Sequence, residues 1–261
     1  MTRSVSVTYN VWPAPAEVAA AAAELFAASA AAAVAARGVA RIAVSGGTTP
    51  KTMFALLADR GAPYFARVPW QKLHLFFVDE RCVPPDDQES NYRMTNEAML
   101  SKVPLPAAQV HRMEGELDPQ EAARRYEAVI RAEFGLDRSG NPVFDLVLLG
   151  MGDDGHTASL FPHTQAIHEL GRIVVANHVP QKDTWRITLT SPVINLGREV
   201  AFLIEGAAKA DVLREVLLGP YDPEAKPSQL IRPASGQLTM LLDAAAAARL
   251  PDPVGGTLQL S

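Results

Sequence analysis

The chain has 261 residues, 48% of them apolar and 20% charged; it can bury a full hydrophobic core, which excludes a disordered or undersized scaffold. Gly and Pro, at 17 and 20 residues, are too few for a low-complexity protein. A formal net charge of −5 without any Lys/Arg-rich run leaves a nucleic-acid partner no electrostatic footprint, and the single cysteine, Cys82, excludes an internal disulfide framework and suits a reducing compartment.

Residues 1–8 alternate apolar with polar types and lack the apolar block of a secretory signal. Residues 18–36 are mostly alanine, with Glu24 inside and Glu17 and Arg37 at the flanks. Alanine is a weak hydrophobe but the best helix former, so this stretch reads as a soluble helix after Pro13 and Pro15, ended by Gly38, and no membrane span is expected. Its small side chains suit a helix lying close to a sheet. Runs at 41–44, 73–78 and 144–149 are too apolar for a half-exposed sheet and read as strands covered on both faces. Further strands are expected at 173–176, 185–190, 200–205 and 238–242. Helical patterns occupy 50–59, 91–100, 119–134 and 207–218, and a second alanine run lies at 244–248. The alternation predicts one α/β domain spanning residues 1–261, Rossmann-like, with a mostly parallel central sheet flanked by helices on both faces. Pro-rich stretches at 103–106 and 220–227 read as surface loops. Ligands of such sheets sit outside the carboxyl ends of the strands.

Ser45-Gly46-Gly47-Thr48-Thr49-Pro50 lies between a buried strand and a helix. Its glycines allow close backbone approach, its hydroxyls add donors, and a helix N-terminus favours an anion, so a phosphate is the natural guest. The competing reading is a tight turn without a ligand. It is not a P-loop, because Pro50 precedes Lys51-Thr52. The segment also approaches the G-x-S-x-G nucleophile elbow, with Asp154 and His156 as formal partners; those two share one turn, which is not the usual order. Asp79-Glu80-Arg81 closes the next strand. It is either a solvated turn with Arg81 paired to a carboxylate, or an Arg held by its neighbours to meet an anionic substrate or a developing oxyanion. Ser90-Asn91 either caps a helix or faces the same cleft, and capping is the preferred reading.

Gly150, Gly152 and Gly155 match G-x-G-x-x-G, but Asp153 and Asp154 would point negative charge at a pyrophosphate, and no ribose-binding acid follows. No dinucleotide or other cofactor is expected. The better candidate in this loop is His156, an imidazole able to accept a proton near neutral pH, with Asp154 two residues earlier to orient it. His74 reads as structural. His111, His163, His168 and His178 show no partners at a metal-binding spacing, and no catalytic metal is expected. Arg186 within a strand and Lys209 in the first turn of a helix are either solvated charges or contacts for an anion.

Taken together, Ser45 to Pro50, Asp79-Glu80-Arg81, the run from Gly150 through His156 to Pro162, Arg186 to Thr190 and Gly206 to Ala210 resemble the ordered motifs of 6-phosphogluconolactonases. These belong to a wider group with glucosamine-6-phosphate deaminases and isomerases. The resemblance implies hydrolysis of 6-phospho-D-glucono-1,5-lactone in the pentose phosphate pathway, in the cytoplasm; a monomer or weak homo-oligomer is expected. The resemblance makes His156 the general base with Asp154 beside it, assigns the substrate phosphate to Ser45, Gly46, Gly47, Thr48, Arg186 and Lys209, and places Arg81 near the lactone. Deaminases of the group carry a tyrosine where this chain has Arg81, and a glutamate where it has Phe161. A sugar-phosphate sensor of the same fold would bring a DNA-binding segment and would not need the Asp154–His156 pair. Met240 stands where the lactonase pattern has tryptophan.

Overall fold

Apolar strands paired side by side set the frame. In the computed structural model, which describes residues 5–137, 139–235, 237–252 and 254–260, the chain runs through β1 (Val5–Trp12), α1 (Pro15–Arg37), β2 (Ala40–Val44) and α2 (Thr48–Ala58). Next come β3 (Leu73–Phe77), β4 (Asp79–Arg81), α3 (Asn91–Ala98), β5 (Val110–His111) and α4 (Pro119–Phe134). After β6 (Leu146–Leu149) follow β7 (Val174–Val179), β8 (Thr184–Leu189), α5 (Ser191–Ile194) and β9 (Val200–Ile204). The last elements are α6 (Ala210–Leu218), β10 (Gln237–Asp243), α7 (Ala244–Ala247) and β11 (Gly255–Leu260).

The central sheet has eight strands in the order β11-β1-β10-β9-β6-β2-β3-β5. Its pairings are parallel except the edge pair β11–β1. Period-two alternation divides the strands between two cores: Ile42, Val44, Leu146 and Leu148 face α1, α2 and α3, while Ala43, Val147 and Leu149 face α4, α6 and α7. Met240 fills the second core, fully buried on β10. Its unbranched thioether replaces the volume that the resemblance assigned to an indole. α1 buries Val18, Ala22, Phe26 and Ala30 among others. It is long and apolar enough by composition to cross a membrane, but 44% of its most apolar window is buried inside this fold.

Two expectations need correction. The strands expected at 173–176 and 185–190 do not join the parallel sheet. As β7 and β8 they form a separate antiparallel sheet with Asp79–Arg81, in the order β4-β8-β7. The connection explains this: only the turn Pro180–Lys182 and Asp183, at φ 45°, separate β7 from β8, and a parallel crossover needs a dozen residues or more. Of the alternating residues 1–8, those from Val5 onward belong to β1 and the first four lie outside the described residues; β11 adds a second edge strand that the sequence pattern did not reveal. Helix boundaries follow the turn chemistry more closely. α4 matches its expected span, with Asp118 accepting from the N–H groups of Gln120 and Glu121 at 3.1 Å. α2 begins at Thr48, before Pro50, which sits inside the first turn where a missing N–H costs nothing.

Two polar features lie under α4. The Tyr126 hydroxyl accepts from Phe77 N at 2.8 Å and donates to Phe77 O at 3.0 Å. His111, expected to have no partner at a metal-binding spacing, places Nε2 3.0 Å from His74 Nδ1. Folding supplies that neighbour through strand pairing, from 37 positions away in the chain. Burial pushes both imidazoles below the ordinary histidine value, His111 to about 4.

Candidate active site

The carboxyl ends of β2, β6 and β9, with β4, enclose a cleft of about 520 Å³, a size suited to a small metabolite. The loop after β2 enters it from one side. An added Cβ on Gly46 would lie 1.8 Å from Asn91 Oδ1, and Gly47, the residue before the helix, adopts φ 112°. Only glycine fits such an approach and such a dihedral. Among the described residues no side chain caps the N-terminus of α2, so its first amides remain donors toward the cleft. Ser45 is buried and donates its hydroxyl to Leu148 O at 3.0 Å. Its proton is committed to a carbonyl rather than an imidazole, which removes the support for a nucleophile elbow.

The loop after β6 enters from the other side. Asp154 Oδ1 lies 2.5 Å from His156 Nδ1 and also accepts His156 N at 3.1 Å. The carboxylate therefore fixes the proton on Nδ1 and leaves Nε2 as the accepting end of the ring. Although burial alone would raise the Asp154 carboxyl, the hydrogen bond and charge of His156 hold it down at about 2. Phe161 stacks on the imidazole with centroids 4.0 Å apart. Gly152 has no room for a side chain, because a Cβ there would meet His156 Nδ1 at 2.0 Å. The loop is fastened to its surroundings by polar side chains. Ser159 Oγ donates to Asp79 Oδ2 at 2.7 Å, Thr157 Oγ1 to Gly150 O at 2.8 Å, and Asn177 Nδ2 to Ser159 O at 2.9 Å.

Three cations surround this pair of loops. Arg81 lines the cleft, its guanidinium donating to the Glu89 carbonyl rather than pairing with Asp79 or Glu80. Those two acids are structural. Glu80 accepts from the amides of Arg81, Asn91 and Tyr92 and from Ser90 Oγ, and burial raises its carboxyl despite these donors. Ser90 does cap α3, accepting Arg93 N at 3.1 Å. Lys209 also lines the cleft and is ion-paired with exposed Asp153. It ends a 3-10 turn, Ala207–Lys209, immediately before α6. Arg186 sits directly across from Arg81 in the β4–β8 register. It does not line the cleft wall; its guanidinium donates to Thr184 Oγ1 and Trp185 O. Burial, then the neighbouring Arg81 charge, lowers its proton affinity.

Ser45, Gly46, Gly47, Thr48, Arg81, His156 and Lys209 thus meet in one cleft. Asp154 stands behind the imidazole and Arg186 behind Arg81. Sequence reasoning missed Thr49 and Glu205. Thr49 Oγ1 donates to Glu205 Oε2 at 2.8 Å, and both line the cleft. Burial raises the Glu205 carboxyl, Thr49 opposes that, and Asp243 reinforces it. The available signal was position, since Glu205 immediately follows β9 just as Ser45 follows β2. Asn91, for which the cleft was the alternative to a capping role, borders it and donates to Asp79 O at 3.0 Å.

Known proteins resemble this chain over most of its length. A 6-phosphogluconolactonase of a Synechocystis species is 41% identical over 211 residues, covering 80% of this chain and 84% of its own. That of a Nostoc species is 39% identical over 245 residues, covering 93% and 98%. The solved structure of 6-phosphogluconolactonase from Trypanosoma cruzi superposes with a TM-score of 0.81 at 31% identity, over 94% of this chain and 97% of that one. The family model for glucosamine-6-phosphate isomerases/6-phosphogluconolactonase matches residues 13–240, and the chain belongs to that family.

Proposed function

We propose that the chain hydrolyses 6-phospho-D-glucono-1,5-lactone to 6-phosphogluconate, with His156 as general base. The observation that carries this reading is the Asp154–His156 pair opening onto the same cleft as the bare N-terminus of α2 and Lys209. A δ-lactone is an activated ester, so an oriented water, a base and a donor for the oxyanion suffice. His156 Nε2 takes a proton from water as its oxygen attacks the carbonyl carbon, and Asp154 stabilises the imidazolium. Arg81 and the loop amides are the donors placed for the tetrahedral oxyanion. Collapse expels the ring oxygen, which takes the proton back from His156. The phosphate binds to the backbone amides of Ser45, Gly46, Gly47 and Thr48 and to Lys209, the last released from Asp153, with Arg186 adding charge beside Arg81.

Phe161 separates this reading from ring-opening deamination. At the position where the deaminases of the group carry a proton-transferring glutamate, it presents an apolar ring stacked on His156. The same proposal places the enzyme in the cytoplasm as a monomer or weak homo-oligomer, with no cofactor and with neither nucleic acid nor membrane as partner. His156→Ala tests the reading directly. Lactone hydrolysis, corrected for spontaneous opening and run with a chelator present, should fall by about 10²–10⁴. Binding of 6-phosphogluconate should remain measurable. Full activity in the variant removes His156 from the mechanism.

A further inference from the structure

Where β5 forms the edge of the central sheet, the fold gathers a second group of polar side chains that the lactone chemistry does not use. His74 on β3, His111 on β5 and Glu133 in the last turn of α4 present donor atoms all within 4.8 Å of one another. His74 Nδ1 lies 3.0 Å from His111 Nε2 and 3.1 Å from Glu133 Oε2. A neutral His74 offers one N–H at that nitrogen to two acceptors at once, so three lone-pair-bearing atoms share a single proton. Tetrahedral zinc holds N and O ligands at about 2.0–2.1 Å, which sets neighbouring ligands roughly 3.3 Å apart. The two spacings from His74 Nδ1, 3.0 and 3.1 Å, are close to that edge length.

The ligands are also ordered in advance. The His111 ring is buried and stacked against Phe76 at 4.4 Å and His74 at 5.2 Å. Neutral imidazoles are the form a metal needs. The carboxyl end of α4 turns the negative end of its dipole toward this point. Side-chain exposure of 20% at His74 and 33% at Glu133 leaves an entry path and room for water. Arg41 opposes a cation here: it donates to Glu133 O at 2.9 Å and lies over the Phe134 ring. Its fixed charge weakens the binding of a cation here.

We propose that His74, His111 and Glu133 form a divalent transition-metal site suited to Zn²⁺, with water completing the coordination, that ties the end of α4 to the sheet edge. This site is independent of the proposed lactone chemistry. Chelator-treated protein should be titrated with Zn²⁺ by calorimetry and with Co²⁺ by visible absorption. One equivalent should bind, Co²⁺ should show the intense d–d bands of a four-coordinate centre, and Zn²⁺ should raise Tm. His111→Gln and Glu133→Gln should each weaken Zn²⁺ binding tenfold or more, while His156→Ala should leave it unchanged. If His111→Gln fails to fold, as judged by circular dichroism, Glu133→Gln on the more exposed ligand decides. Absence of stoichiometric binding, or binding lost in His156→Ala and kept in Glu133→Gln, overturns the site.

Discussion

The loop after β2 offers a ligand backbone amides and hydroxyls, whereas the loop after β6 offers a titratable pair. Their construction differs accordingly. The first is shaped by what is missing: Gly46 has no Cβ to strike Asn91, and among the described residues no side chain caps α2. The second is shaped by what holds it, since Ser159, Thr157 and Asn177 fasten it to β4, to its own base and to the small antiparallel sheet. Binding an anion needs donors that stand still, and a strand-to-helix turn supplies them cheaply. Moving a proton needs an imidazole fixed in both tautomer and direction, which takes neighbours from remote parts of the chain.

If the loops divide the labour this way, substitutions should separate kcat from KM. The largest effect is expected from Asp154→Asn, because an amide can turn an N–H toward Nδ1 and put the imidazole proton on the wrong nitrogen. Its kcat should fall by about 10²–10⁴, the full value of the general base, with little change in KM. Gly152→Ala comes next. Its methyl group displaces His156 itself, and a misplacement near 1 Å costs about 10² in kcat. Gly46→Ala should act on the other parameter. Asn91 is buried and hydrogen-bonded to Asp79, so the loop yields instead, and KM should rise roughly tenfold for one weakened charge-assisted hydrogen bond. Equal losses of kcat in Gly46→Ala and Gly152→Ala, measured by steady-state kinetics, would break the division. The smallest effect belongs to Ser45→Ala: about 1 kcal/mol of stability by urea denaturation, with kcat kept, since the hydroxyl serves Leu148 O.

Much of this was legible in the chain itself. Strongly apolar runs such as 144–149 declared buried parallel strands, and the end-of-strand rule led to Ser45, Arg81 and His156. The pattern does not encode which sheet a strand joins. β7 and β8 carry polar residues such as Asn177, Thr184 and Arg186 among their apolar ones, and the tight turn at Asp183 forces them antiparallel. Arg186 was read as a phosphate contact from its motif, yet its distance from the cleft wall depends on the β4–β8 register. Glu205 escaped because a single acid after a strand carries no motif. The His74–His111 neighbours escaped because their proximity arises from pairing between strands remote in sequence.

The phenol of Tyr126 has one more consequence. By answering both the amide and the carbonyl of Phe77, a lone side chain impersonates the next ribbon of backbone at the point where β5 has already run out. The sheet is closed there without further chain, and the opening has no template for recruiting a stranger. Just beyond it the polypeptide is free to leave the main sheet and donate Asp79–Arg81 to the smaller one. A hydroxyl on a helix thus decides where one architecture stops and the wall of the cleft begins.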